Sequence, residues 1–86
     1  MSDRVADDID RSILDLTAAR GPLSSISPSE VAIALQPGGK WQSLLTKVRV
    51  RAVALMLEGR IEILRKGKPV EDAQDVRGVI RLRAKI

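Results

Sequence analysis

The sequence predicts an α+β fold in which three helices precede a two-stranded antiparallel hairpin. Apolar residues recur at helical spacing as far as residue 57, and beyond it they alternate with polar residues. Helix-starting and helix-ending residues divide the first part into three segments. The 86 residues are expected to form one domain, residues 1–86, because single domains typically contain about 100–150 residues.

The first helix is predicted over about residues 3–20 and ends at Gly21-Pro22. Aspartates crowd its first half, where the positive end of the helix dipole favours them. Its apolar residues recur at spacings of four, four and three: Val5, Ile9, Ile13 and Leu16. Residues 23–26 are predicted to form a short extended segment.

The second helix begins with the strongest local signal in the chain, Ser27-Pro28-Ser29-Glu30. Ser27 and Glu30 can each bond the other's backbone N–H, and Pro28 occupies the first helical position, where a missing N–H costs nothing. The helix is predicted to run to about residue 36, where Pro-Gly-Gly ends it. Its inward residues are expected to be Val31, Ala34 and Leu35.

The third helix is predicted from about Lys40 or Trp41 to Glu58, with Gly59 as its left-handed end. Trp41, the one aromatic residue, is expected to fill the core beside the second helix. The core face comprises Leu44, Val48, Ala52 and Leu55. Three further apolar residues, Val50, Val53 and Leu57, point to the other side.

Alternating residues predict strands over residues 60–65 and 79–86, joined by a connection of about a dozen residues with turn chemistry at both ends. A helix-turn-helix closed by such a hairpin is a winged helix. The sequence therefore favours a winged helix-turn-helix with the hairpin as its wing. The alternative is another small α+β domain in which the hairpin packs elsewhere.

Several functions are disfavoured by composition. Cysteine and histidine are absent, so zinc sites and nucleophile–histidine pairs are not expected. One aromatic residue cannot form a base-stacking platform. The acids Glu71, Asp72 and Asp75 lack the ligand density of a calcium loop and are interpreted as a solvated loop. We expect no enzyme activity, no cofactor and no metal.

No signal peptide is recognisable, and the longest apolar run, Ala52 to Leu57, is far shorter than the roughly 20 residues that cross a bilayer. A cytoplasmic protein without membrane contact is expected.

The sequence resembles an uncharacterised family of short bacterial proteins, a domain of unknown function with a winged-helix fold. The matching segments are Ser27-Pro28-Ser29-Glu30-Val31-Ala32, Trp41, Val48-Arg49, Gly59-Arg60-Ile61-Glu62-Ile63, Lys66-Gly67-Lys68-Pro69-Val70 and Arg77-Gly78-Val79-Ile80-Arg81-Leu82-Arg83. The resemblance implies the winged-helix fold and implies no function.

Charge is unevenly distributed along the chain. Residues 1–39 carry a net charge of −3 and residues 40–86 a net charge of +7, which makes +4 in total. A basic region attracts polyanions, although lysine and arginine also simply keep a small domain soluble.

The favoured partner is double-stranded DNA, with the third helix in the major groove and the hairpin on the phosphates, in a role such as transcriptional regulation. The predicted nucleic-acid-binding residues are Lys40, Gln42, Thr46, Lys47 and Arg49 of the third helix, and Arg65, Lys66, Lys68 and Arg77 of the hairpin.

Two features count against DNA. The acids of the hairpin connection offset its cations, and the outward face of the third helix contains Val50, Val53 and Leu57. An apolar face of this kind is also typical of a protein contact. The alternative function is therefore a protein–protein interaction or homodimerisation module on the same scaffold.

Overall fold

The computed structural model describes residues 4–85 and has an α+β fold. Its elements are α1 (Arg4–Arg20), α2 (Pro28–Leu35), α3 (Leu45–Leu57), β1 (Ile61–Arg65), β2 (Lys68–Pro69) and β3 (Arg81–Ala84). Three helices therefore precede a small antiparallel sheet, as predicted. The predicted first residue of the first helix and last residue of the last strand lie outside the described residues.

The predicted two-stranded hairpin is wrong in its number of strands. The sheet has three antiparallel strands in the order β2-β1-β3. Arg65 pairs with Lys68 across a two-residue turn in which Lys66 has φ 53° and Gly67 has φ 81°. Two positive φ angles are typical of the tight turn whose twist matches a hairpin. The sequence predicted a connection of about a dozen residues after the first strand. The chain instead turns back within two residues and pairs with β1 as β2.

The extended segment before α2 is a single β-bridge between Ile26 and Leu82 of β3. The backbone N–H of each donates to the carbonyl oxygen of the other at 2.8 Å. The Arg81 side chain strengthens this link because its Nε donates to Ser25 Oγ and its Nη2 to the Ser25 carbonyl, both at 2.8 Å. β3 therefore lies between β1 and the chain that enters α2.

The core lies between the three helices and one face of the sheet. Its buried apolar residues are Ile9, Ile13, Ile26, Val31, Ala32, Val48, Ala52, Leu55, Ile61, Ile63, Leu64, Ile80 and Leu82. Ala34, which was predicted to face inward, is exposed, and Val5 of the apolar repeat of the first helix is 40% exposed. The buried face of α1 extends to Thr17. The buried Thr17 hydroxyl has a hydrogen-bond partner within the helix, because its Oγ1 donates to the Ile13 carbonyl at 2.8 Å.

The start of α2 matches its predicted capping box. Ser27 Oγ accepts from the Glu30 N–H at 3.3 Å, and the Ser27 N–H donates to Glu30 Oε2 at 2.7 Å. The other oxygen of Glu30, Oε1, accepts from Arg20 at 2.8 Å, which joins the end of α1 to the start of α2. One carboxylate thus caps the start of α2 and also bonds the last residue of α1.

The start of the third helix differs from the prediction. Residues Trp41–Leu44 form a 3-10 turn, and α3 begins only at Leu45. Lys40 precedes this turn and has no side chain able to cap the free N–H groups, which leaves the tighter turn to satisfy some of them. Trp41 is half-buried against the core, in agreement with its predicted packing role.

Candidate nucleic-acid interface

The outward face of α3 carries a narrow apolar stripe. At about 100° per residue, Thr46, Val50, Val53 and Leu57 lie opposite the buried Val48, Ala52 and Leu55. Val50 is 60% exposed and Leu57 is 65% exposed, whereas Val53 is half-buried. We call these four residues the α3 outer stripe.

One side of the α3 outer stripe faces α1. A shallow groove of about 330 Å³ runs between the helices and is lined by Ala6, Ile9, Thr46, Lys47, Val50 and Arg51. Arg51 donates from Nε and Nη2 to the two carboxylate oxygens of Asp10, each at 2.7 Å. The hydrogen bond to Asp10 raises the pKa of Arg51 above its ordinary value, against an opposing effect of burial. Arg51 is therefore a link between helices.

The other side of the stripe faces the connection between β2 and β3. Arg49 Nη1 donates to the Gly78 carbonyl at 3.0 Å. Val76 is half-buried and shares a second groove of about 330 Å³ with Thr46, Arg49, Val50 and Val53. Val53 and Val76 both pack against the core, whereas Val50 lines the same groove and stays exposed. The hydrogen bond from Arg49 to Gly78 also holds the backbone that follows Arg77 close to the first half of α3.

Lys47 and Arg49 lie on opposite sides of Val50. On a helical projection Lys47 is roughly 60° to one side and Arg49 roughly 100° to the other. Lys47 is exposed, and Arg49 is partly exposed with one of its five guanidinium donors used by Gly78. Two positive charges therefore flank an exposed apolar side chain.

The remaining predicted site residues of the third helix precede α3. Lys40 and Gln42 are both exposed, at the edge of the 3-10 turn and within it. Ser43 is occupied locally, because its hydroxyl donates to the Lys40 carbonyl at 2.8 Å. The amide of Gln42 and the ammonium of Lys40 thus reach solvent at the N-terminal end of α3.

The hairpin cations have acidic neighbours. Arg65, Lys66 and Lys68 line one groove of about 560 Å³ together with Pro69, Val70, Glu71 and Asp75. Asp72 has a separate structural role, since its Oδ1 accepts from the Gln74 N–H at 2.9 Å and caps the 3-10 turn over Ala73–Asp75. The predicted offset of positive by negative charge in this region is therefore present in space as well as in sequence.

The cations differ in whether a carboxylate pairs with them. Outside the predicted site, Arg4, Arg11, Arg81 and Lys85 have no ion pair within residues 4–85. Arg20, Arg51, Arg60 and Arg83 pair with carboxylates, and Arg83 does so across the β1–β3 register with Glu62 at 2.8 Å. Within residues 4–85, none of the seven cations predicted to contact nucleic acid is ion-paired. These are Lys40, Lys47, Arg49, Arg65, Lys66, Lys68 and Arg77.

Two contacts at the site were not predicted from the sequence. Arg51 and Asp10 are 41 residues apart, and Arg49 and Gly78 are 29 apart. No local pattern relates residues at such separations, and only the packing of α3 brings them together. The alternation of the last strand places Arg81, Arg83 and Lys85 on one face, but it does not indicate that Arg83 lies opposite Glu62.

Among residues 4–85, no three acidic side chains gather as a metal-binding group, and no helix is long and apolar enough to cross a membrane.

Comparisons with known proteins agree with the resemblance to an uncharacterised family. No curated protein matches the chain. A family model matches residues 6–85, nearly its whole length. The chain belongs to the family described as Protein of unknown function (DUF3253).

Proposed function

We propose that this protein is a winged-helix module that binds double-stranded DNA through α3 and the hairpin. The observation that carries the proposal is the division of the cations. Arg20, Arg51 and Arg83 are each bonded to a carboxylate of another structural element, whereas the predicted site cations on α3 and the hairpin have no acidic partner within the described residues. Cations without acidic partners are the groups that can contact phosphate.

The topology supports the winged-helix assignment. Residues 36–44, which include the 3-10 turn over Trp41–Leu44, join α2 to α3, and β1 begins soon after α3 ends. β3 lies between β1 and the bridge at Ile26, so the extended segment between α1 and α2 joins the same sheet. The tight turn at Lys66-Gly67 projects from β1 as a short wing.

The dimensions of α3 suit the major groove. A helix with its side chains is about 10–12 Å across, and the groove is about 12 Å wide. Lys47 and Arg49 lie on opposite sides of the outer stripe, so in this arrangement each would be next to one phosphate wall of the groove. Lys40 and Gln42 lie at the N-terminal end, from which recognition helices reach base edges.

The hairpin has a smaller role than α3 in this proposal. Glu71 and Asp75 share the groove of Lys66 and Lys68, and their charge weakens attraction to phosphate. The hairpin cations therefore position the module on the backbone, and the residues of α3 contribute most of the affinity.

A fluorescence titration against a random-sequence duplex tests the proposal. Binding should be tightest at low salt and weaken steeply as salt rises, because neutralised phosphates release counterions. Lys47→Ala should weaken binding by about 1–3 kcal/mol if it contacts a base, or reduce the salt slope by about 1 if it contacts phosphate.

The matched control is Lys85→Ala, which removes the same charge from an exposed position beyond β3. It should leave binding close to that of the parent. Absence of binding at tens of micromolar protein in low salt would reject the proposal. Equal losses in the two variants would show that only net charge matters.

A protein-interaction module is the second candidate, favoured by the exposure of Val50 and Leu57 two helical turns apart. The half-burial of Val53 beside Val76 interrupts this surface and weakens the case. Sedimentation of the parent and of Leu57→Asp distinguishes the candidates. An oligomer that the substitution dissociates would favour the second.

A further inference from the structure

Val50 is an exposed apolar side chain at the centre of a charged surface. It is 60% exposed, between Thr46 one turn earlier and the half-buried Val53. The grooves on both of its sides are shallow, so it stands as a ridge between α1 and the connection that contains Val76. Such a side chain gains free energy when a partner removes it from water.

The charges around Val50 limit the chemistry of that partner. Lys47 and Arg49 flank it without any ion pair within residues 4–85. The nearby carboxylate of Asp10 is already neutralised by Arg51. A partner that fits this surface presents negative charge on two sides and an apolar group between them.

The major groove offers that combination at one kind of base. Phosphates form its two walls, and the C5-methyl group of thymine is the apolar feature on its floor. Thr46 adds a second methyl group on the same stripe and a hydroxyl that can bond a base edge.

We infer that Val50 contacts thymine C5-methyl groups and gives the module a preference for sites that contain A·T pairs. This inference rests on the proposed function, because it requires α3 to lie in the major groove. Val50 would then provide specificity, while Lys47 and Arg49 provide affinity.

Replacement of thymine by uracil tests the inference because it removes only the methyl group. A random duplex pool is enriched on the parent protein, and the enriched duplex is resynthesised with uracil in place of thymine. The parent should bind the thymine duplex about fourfold more tightly for each methyl group contacted, the effect of burying one such group.

Two variants test whether Val50 is the residue that distinguishes thymine from uracil. Val50→Ala should bind the thymine and uracil duplexes equally, and its exposed position and the high helix propensity of alanine favour retention of the fold. Leu57→Ala, equally exposed on the same stripe but two turns farther along, should discriminate as the parent does.

The outcomes separate this inference from the proposed function. Equal binding of the thymine and uracil duplexes by the parent, or DNA binding without any enriched sequence, would overturn the inference and leave DNA binding intact. Discrimination that persists in Val50→Ala would also overturn it, because another residue would then contact the methyl group. Absence of all DNA binding would reject the proposed function itself.

Discussion

Cations at the contacts between helices or strands (the seams) are bonded to carboxylates in several cases, whereas within the described residues the cations on the exposed surface of α3 are not. At the α1–α3 seam, Arg51 and Asp10 are only 30% and 19% exposed and share two hydrogen bonds. Lys47, one turn earlier on the same helix, is exposed and has no carboxylate partner within residues 4–85. Two cations one turn apart on the same side of α3 thus differ in role, because Arg51 is bonded to α1 and Lys47 is available to a ligand.

Arg51→Ala should have the largest effect on stability. It leaves the partly buried Asp10 carboxylate without its two donors, and we expect a loss of about 1.5–3 kcal/mol in the free energy of unfolding. Lys47→Ala is the matched control and should change stability by less than about 0.5 kcal/mol. Urea denaturation measures both. Equal stability of the two variants would contradict the division between seam and surface.

The raised pKa of Arg51 also predicts how this loss depends on pH. A basic group whose pKa is higher in the folded state contributes stability that is complete below its unfolded pKa and is lost only as pH rises through the folded value. Ordinary arginine titrates far above neutrality. The arginine should therefore introduce no pH dependence between about pH 6 and 9, which denaturation at several pH values checks.

Gly67→Ala should have the next largest effect. Gly67 has φ 81°, and an alanine in the left-handed region costs about 1–2 kcal/mol. Gly38→Ala is the control, because Gly38 has open space around it and no positive φ. Thermal unfolding should separate them, with little change for Gly38→Ala. If Gly67→Ala also leaves DNA binding unchanged, the minor role proposed for the hairpin is supported.

Arg83→Ala should have the smallest effect. It removes a cross-strand pair with Glu62, and such pairs contribute about 0.2–1 kcal/mol. Lys85→Ala, two residues later, has no ion pair within the described part of the chain and should cost less. Chemical denaturation of both variants checks the order. A larger loss in Lys85→Ala would show that the β1–β3 register does not depend on this pair.

The sequence by itself determined those features that depend on neighbours three or four residues apart. The capping box of Ser27 and Glu30 is an example, because donor and acceptor lie within one helical turn. The buried faces of α3 and β3 follow from helical and alternating spacing in the same way. α2 is present close to its predicted bounds, whereas α3 begins later and β3 is shorter than predicted.

The tertiary structure alone decided which charges are bonded and which surfaces remain open. The partner of Arg51 is 41 residues away. Val53 shares a groove with Val76, which lies in the connection between β2 and β3. It also decided that Thr17 and Ala32 join the core in place of Val5 and Ala34. A residue's spacing gives its direction from the helix axis, but its burial depends on which distant segment packs there.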